Sequence, residues 1–195
     1  MNHKKQFFDR WASSYDFLLT TVFYQAIHKR LLEYIDLPTQ PTVLDLGCGT
    51  GLLLDRLATQ FPTLKGIGYD FSPQMLQQAR QRNKHKSQLI YLQGNTADLP
   101  LADTQFDAVF NTISFLHYPE PERVFSQISR VLKLKGHYYL VDHMLRGLTY
   151  FPYSPDGLRF YNQQQREELG QKVGLNCLDH YYLLGTVVLS IFSKE

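Results

Sequence analysis

The stretch "VLDLGCGTG", Val43 to Gly51, decides the fold of this chain. Its apolar run is broken by one carboxylate, Asp45, and ends in glycines at alternate positions, Gly47, Gly49 and Gly51. A short apolar run bounded by glycine reads as a buried strand. Glycine tolerates positive φ, and without a Cβ it lets a ligand lie against the backbone. The leucines that follow, Leu52, Leu53, Leu54 and Leu57, begin a helix over Leu52–Gln60. Its first N–H groups lack intrahelical partners and favour a negative or polar group. Strand, glycine turn and helix in this order are the physics of a nucleotide-type cofactor site.

Working outward, "LPTQP" (Leu37 to Pro41) breaks the chain before this unit. The segment up to Asp36 reads as helix, with Ile27, Leu31, Leu32 and Ile35 at helical spacing. Downstream, strands are predicted at Leu64–Asp70, Gln88–Gln93, Phe106–Thr112 and His137–Asp142. Helices are predicted at Pro73–Arg82, with Ser72 as N-cap and Pro73 in the first turn, and at Glu120–Leu132. A further helix, Asn162–Gly174, closes on Gly174 in the left-handed cap position. Cys177–Tyr182 and Thr186–Ser193 read as a hairpin around "LLG". Alternating strands and helices imply crossover connections and a mainly parallel sheet covered on both faces. The closing hairpin adds antiparallel edge strands. Ligands of such sheets bind beyond the carboxyl ends of the strands. The loops after Leu46, Tyr69, Leu92, Asn111 and Val141 are therefore where a site is expected.

Composition narrows the function. The formal net charge of +2 gives no electrostatic case for nucleic acid. The one dense basic run, "RQRNKHK" (Arg80 to Lys86), ends a helix, where cations meet the negative end of the dipole. The two cysteines, Cys48 and Cys177, form no CxxC pair, so no metal is expected, and reduced thiols suit the cytoplasm. The apolar stretch Phe17–Ile27 is too short to span a bilayer and reads as packed helix.

Spacing narrows the cofactor. The phosphate-binding pattern GxxxxGK[ST] is absent, and the loop reads GxGxG, not the dinucleotide pattern GxGxxG. Asp70 ends the second strand about twenty residues beyond the loop, where an acid accepts from ribose hydroxyls.

"VLDLGCGTG", "GIGYDFSPQML", "LQGNTADLPLADTQFDAVF" and "FLHYPEPERVFSQISRVLKLKG" in this order resemble the class I S-adenosylmethionine-dependent methyltransferases. The resemblance is closest to small members that include the quinone-biosynthesis C-methyltransferases, and it runs from about Phe7 to Val141. It implies an α/β, doubly wound, mainly parallel seven-stranded sheet with a C-terminal antiparallel hairpin. The 195 residues would form one domain, with residues 1–36 as a helical lid and 144–162 as an acceptor-side cover. It implies S-adenosyl-L-methionine as methyl donor. Asp45 would lie near the methionine amine, and Gly47, Gly49 and Gly51 along the methionyl-ribose portion. Asp70 would take the ribose hydroxyls, Phe71 and Met75 the faces of the adenine, and the Thr96 N–H the adenine ring. Asn95 stands where the family usually has an acid, and its amide oxygen still accepts from the adenine amino group. Asn111, at the end of the fourth strand, is counted with the cofactor contacts. "FDRWASSYD" resembles the segment that closes over the cofactor, making Trp11 and Tyr15 lid candidates, since an aromatic face suits a sulfonium. "LKLKG" replaces the family's Lys-Pro-Gly-Gly turn, far from the cofactor end of the sheet.

Methyl transfer from a sulfonium needs alignment first and a base only if the acceptor must lose a proton. His117 and His143, just past the fourth and fifth strands, are the candidate bases. Each also has an ordinary reading as a histidine that shapes its loop. The aromatic cover (Tyr150, Phe151, Tyr153, Phe160, Tyr161) suggests a small aromatic or lipid-like acceptor, with Arg146 and Arg159 nearby. Two rivals stay open: an NAD-linked oxidoreductase, and a module that binds the cofactor without catalysis.

Overall fold

The computed structural model describes residues 18–145, 147, 149–151 and 157–195. Trp11, Tyr15, Arg146 and Tyr153, and residues 1–17 of the expected lid, lie outside them. The elements are α1 (Leu18–Leu32), β1 (Thr42–Leu46), α2 (Leu52–Gln60), β2 (Lys65–Asp70), α3 (Pro73–Arg82), β3 (Leu89–Gln93) and β4 (Phe106–Thr112). They continue with a 3-10 turn (Phe115–His117), α4 (Pro121–Val131), β5 (Leu132–His143), β6 (Tyr150–Phe151) and β7 (Leu158–Arg159), then α5 (Gln163–Gln171), β8 (Leu175–Leu184) and β9 (Val187–Lys194).

Seven strands form one sheet in the order β3-β2-β1-β4-β5-β9-β8. The first five are parallel, and β9 and β8 run antiparallel at one edge. This is the expected doubly wound sheet with its closing hairpin. The order reverses between β1 and β4, and Leu46 is level with both Tyr69 and Asn111. The carboxyl ends of three strands therefore reach one line at the switch point, where ligands of such sheets bind.

The strands are apolar on both sides because helices cover both faces. Val43, Phe110 and Tyr139 face a core shared with Ile27 and Leu31 of α1, Leu54 and Leu57 of α2, and Leu76 of α3. Their neighbours Leu44, Val109 and Tyr138 face a second core with Val124, Phe125 and Ile128 of α4 and Leu169 of α5. Helix starts follow local chemistry. Ser72 caps α3 by accepting from the Met75 N–H, with Pro73 in the first turn. Asn162 and Gln165 form a reciprocal capping box on α5.

Boundaries differ in three places. The first described helix stops at Leu32, not Asp36. β5 starts at Leu132, straight out of α4, because "LKLKG" folds as strand with a register shift against β4. There Lys135 takes φ 62°, and Lys133 pairs with Asp107 at 2.8 Å. The first hairpin strand is longer than expected at both ends, the second is shifted by one residue, and the turn falls at Gly185, the last residue of "LLG", and Thr186. The cover contains a two-residue antiparallel ladder, β6 with β7. Among the described residues no helix is long and apolar enough to cross a membrane.

Candidate functional site

The loop after β1 is shaped by positive φ at Gly47 (67°), Gly49 (52°) and Gly51 (79°). Gly47 N–H donates to Tyr69 O at 2.8 Å, and Gly51 N–H closes the turn on Cys48 O at 2.9 Å. A Cβ on Gly47 would lie 2.3 Å from Ser114 Oγ, so this glycine is held against the segment that joins β4 to the 3-10 turn. A Cβ on Gly49 would meet nothing within 4 Å, so this glycine faces open space.

Asp70 ties the loop to the next unit. One carboxylate oxygen accepts from Gly49 N–H and the other from Ser72 N–H, both at 2.9 Å. The acid expected at the ribose therefore also holds the glycine loop and the start of α3. Asp45 is buried in β1 beneath the same loop. Burial first, and the charge of Asp70 second, push its carboxyl well above the usual carboxylate range. A cation placed here would relieve both effects.

Asp45, Gly47, Gly49, Thr50 and Thr112 line a cavity of about 40 Å³, closed from the α1 side by Tyr24 and His28. This is room enough for ordered water or for a small polar end of a ligand. Three buried polar atoms around it, His28 Nδ1, Thr50 Oγ1 and Thr112 Oγ1, have no hydrogen-bond partner among the described residues. Buried polar groups are nearly always paired, so such a cluster marks a place for polar ligand atoms. His28 is 4% exposed, and burial, with Arg56 adding, lowers its pKa to about 3, so it is neutral at pH 7. Sequence reading missed His28, because a histidine inside an amphipathic helix carries no signal until the helix is laid over the sheet. A larger cavity, about 580 Å³, lies between α2 and the end of α3 and includes Asp55, Arg82 and Lys84. It contains neither Asp45 nor Asp70, so its size does not make it the cofactor site.

The other expected contacts fall as follows. Phe71 is half-buried, and Met75 is buried in the first turn of α3. Asn95 is exposed, but its amide oxygen accepts from Ala97 N–H at 3.0 Å, so it shapes its own turn as well. Thr96 is 9% exposed. Asn111 lies directly behind the glycine loop. It is fully buried, and its amide donates to Leu46 O at 3.0 Å and to Tyr118 Oη at 2.9 Å. It therefore stands behind the loop as a positioning residue, with Ser114 donating to the same Leu46 carbonyl.

The two histidines are held by one acid. Asp142, buried at the end of β5, accepts from Leu116 N–H at 2.8 Å and from His143 N–H at 2.7 Å. One carboxylate thus fixes the 3-10 turn that carries His117 and the last residue of β5, His143. Burial pushes Asp142 up to about 6, against the opposing pull of Arg166 and three backbone donors. Arg166, 1% exposed on α5, donates to the carbonyls of Tyr161, Val188 and Asp142 at 3.1 Å each, and to Ser190 Oγ at 3.0 Å. It was not singled out in the sequence, where "QQQREELGQ" looks like a solvated helix. His143 lies parallel to Phe23 of α1 and meets Thr186 Oγ1 at 2.8 Å through Nδ1. Burial and Arg166 lower its pKa, so it is neutral at pH 7. The cover packs against the turn: Arg159 donates to Pro119 O at 2.7 Å, and the Tyr161 ring lies 5.1 Å from Phe115. Tyr150 and Phe151 stay exposed.

Residues 44–140 match the family model of the methyltransferase domain. The chain is 32% identical over 143 residues to the demethylmenaquinone methyltransferase of Thermotoga maritima, covering 72% of this chain and 61% of that protein. It is 30% identical to the demethylmenaquinone methyltransferase of Symbiobacterium thermophilum, covering 98% of this chain and 92% of that protein. Among the first relatives it matches, the chain spans about half to three fifths of their length. In fold it is similar to a methyltransferase solved in complex with the Trm112 methyltransferase activator of Haloferax volcanii. The TM-score is 0.81 and the identity 21%, covering 95% of this chain and 96% of that one. The sheet order agrees with this fold, and the chain belongs to the S-adenosylmethionine-dependent methyltransferases.

Proposed function

We propose that this protein transfers the methyl group of S-adenosylmethionine to a small, aromatic or lipid-like acceptor. The observation that carries the reading is the polar cavity under the glycine loop. A buried acid, Asp45, and three unpaired buried polar atoms converge there, as the amine and carboxylate of an amino acid require. When bound, S-adenosylmethionine supplies an activated methyl on a sulfonium.

The protein's own residues then bind and align. Asp45 takes the amine, Gly49 offers open backbone to the methionyl-ribose portion, and Asp70 accepts from the ribose. A carboxylate offers about four acceptor positions, enough to hold the loop and accept from a ribose. Phe71 and Met75 flank the adenine, while Asn95 and Thr96 meet its polar edge. Alignment of nucleophile and methyl is worth roughly 7–11 kcal/mol of barrier. His117 and His143, set by Asp142, accept or orient the acceptor proton; His143 is neutral at pH 7, as a base must be. The exposed Tyr150 and Phe151 offer apolar surface beside this rim. Relatives named for demethylmenaquinone and for a botryococcene act on aromatic and lipid-like molecules, which supports the acceptor class.

The test has two steps. Calorimetric titrations with S-adenosylhomocysteine, NAD and ATP should show binding of the first alone; binding of NAD without it overturns the reading. Turnover of radiolabelled methyl donor is then measured on a panel of naphthoquinols, polyprenyl lipids and malonyl thioesters. Transfer to a quinol or lipid, abolished or slowed at least tenfold in a His117→Gln/His143→Gln double variant, is expected. Tight binding of S-adenosylhomocysteine with no transfer to any acceptor points instead to a non-catalytic module.

A further inference from the structure

Away from the cofactor site, α5 and the edge strand β8 bring three side chains of metal-ligand chemistry together. Cys177 Sγ lies 3.4 Å from His180 Nε2, and His180 Nε2 lies 3.0 Å from Glu167 Oε1. The three donor atoms all fall within 4.8 Å of one another. Side chains three apart on a regular strand point to opposite faces. A β-bulge removes that obstacle here. Cys177 is level with Phe192, Asp179 with Ile191 and His180 with Ser190, so Leu178 is the extra residue. The bulge turns Cys177 and His180 to one face, and α5 lays Glu167 over them. Bulges often re-aim a side chain in this way.

The spacing suits an ion. Zinc takes sulfur at about 2.3 Å and nitrogen at about 2.0 Å, so tetrahedral S and N ligands stand about 3.5 Å apart. The observed 3.4 Å needs almost no rearrangement. The second ring nitrogen is also placed as a ligating histidine requires. His180 Nδ1 lies 2.8 Å from Ser190 Oγ, which accepts from the buried guanidinium of Arg166 at 3.0 Å. With Nδ1–H donating to Ser190, Nε2 presents its lone pair to the cluster.

We propose that Cys177, His180 and Glu167 bind one divalent zinc-class metal ion, with water as the fourth ligand. Thiolate and imidazole select such ions over magnesium and calcium. The thiol proton goes to solvent as the metal–sulfur bond forms. The ion clips α5 to β8, and α5 carries the arginine that holds the carbonyl of Asp142. None of this rests on the methyl-transfer reading. The Cys177/His180 spacing hid the cluster from sequence inspection, since the bulge that unites the pair is visible only in the folded hairpin.

Cobalt is the probe, titrated into the chelator-treated full chain. One equivalent is expected, with visible d–d absorption and a thiolate-to-cobalt charge-transfer band. Cys177→Ser should remove that band, and His180→Gln should weaken binding by about tenfold or more, the least expected when a ligand itself is lost. Circular dichroism of the metal-free variants establishes that they fold. A measurement on the unaltered protein stands beside these: added zinc, but not magnesium, should protect Cys177 from alkylation, read by peptide mass spectrometry. Absence of the charge-transfer band in the unaltered protein, unchanged alkylation of Cys177 with zinc, or Cys177→Ser binding cobalt as the unaltered protein does would each overturn the proposal.

Discussion

Arg166→Met tests how the acceptor rim is held. The methionine fills much of the same volume but removes a guanidinium that donates to Tyr161, Val188, Asp142 and Ser190. It also removes the positive charge that draws the Asp142 pKa down. Depriving a buried charge of its counter-charge costs about 3–5 kcal/mol. For a chain of this size about 1 kcal/mol moves Tm by roughly 2–4 °C, so a fall of about 6–20 °C is expected at pH 8. The loss should depend on pH. Asp142 has a folded pKa of about 6, above its ordinary 3.8, so its contribution to stability is present at low pH and lost as pH rises through 4 to 6. Without Arg166 its folded pKa rises further, and at pH 5 the carboxyl stays neutral and needs no counter-charge. The Tm deficit should therefore be smaller at pH 5 than at pH 8. Adding Asp142→Asn to Arg166→Met should recover part of the pH 8 loss, as a coupled pair does. Differential scanning calorimetry at both pH values reads all of this. A deficit under about 3 °C, or one equal at pH 5 and pH 8, would refute the reasoning.

Three further outcomes are expected. Gly47→Ala should cost more than Gly49→Ala in urea unfolding. Both strain a positive φ, at about 1–2 kcal/mol, but only the first drives a methyl to 2.3 Å from Ser114 Oγ; equal losses would contradict the packing. His28 has its pKa lowered to about 3, so its contribution to stability is present above pH 6.5 and lost as pH falls toward 3. Between pH 7 and pH 5 that loss is about 2 kcal/mol, partly offset by Asp142, and His28→Asn should abolish it; parallel Tm–pH curves for the two proteins would count against a buried neutral histidine. Asp70→Asn should weaken S-adenosylhomocysteine binding by about 10- to 100-fold in calorimetry, because a charge-assisted acceptor is lost and an amide opposes the Gly49 N–H. Affinity within twofold of the unaltered protein would remove Asp70 from the site.

Much of the fold was legible along the chain because its signals are local. Apolar runs of strand length, the glycines after Leu46 and the Ser72-Pro73 start of α3 depend on neighbours within a few residues. "LKLKG" stands where the resembled family has a Lys-Pro-Gly-Gly turn, and its pairing as strand was not legible. In the sheet, Lys135 takes positive φ and the segment pairs on, since the edge of β4 supplies partners that no local rule sees. For Asn111 the place at a strand end was legible, but the inward hydrogen bond of its amide to Leu46 was not.

By itself the sequence determined the parallel sheet, the glycine loop and the two acids at its mouth, because backbone freedom and residue spacing encode them within short stretches. Only the tertiary structure decided that His28 closes the cavity over Asp45. It alone showed that Asp142 holds the backbone of His143 and of Leu116 beside His117, and that a bulge turns Cys177 and His180 to one face. Those relations depend on elements separated in the sequence: α1 over β1, β5 against the 3-10 turn, and β8 paired with β9. They follow from which helix lies on which face and how strands are registered, and long-range packing sets both.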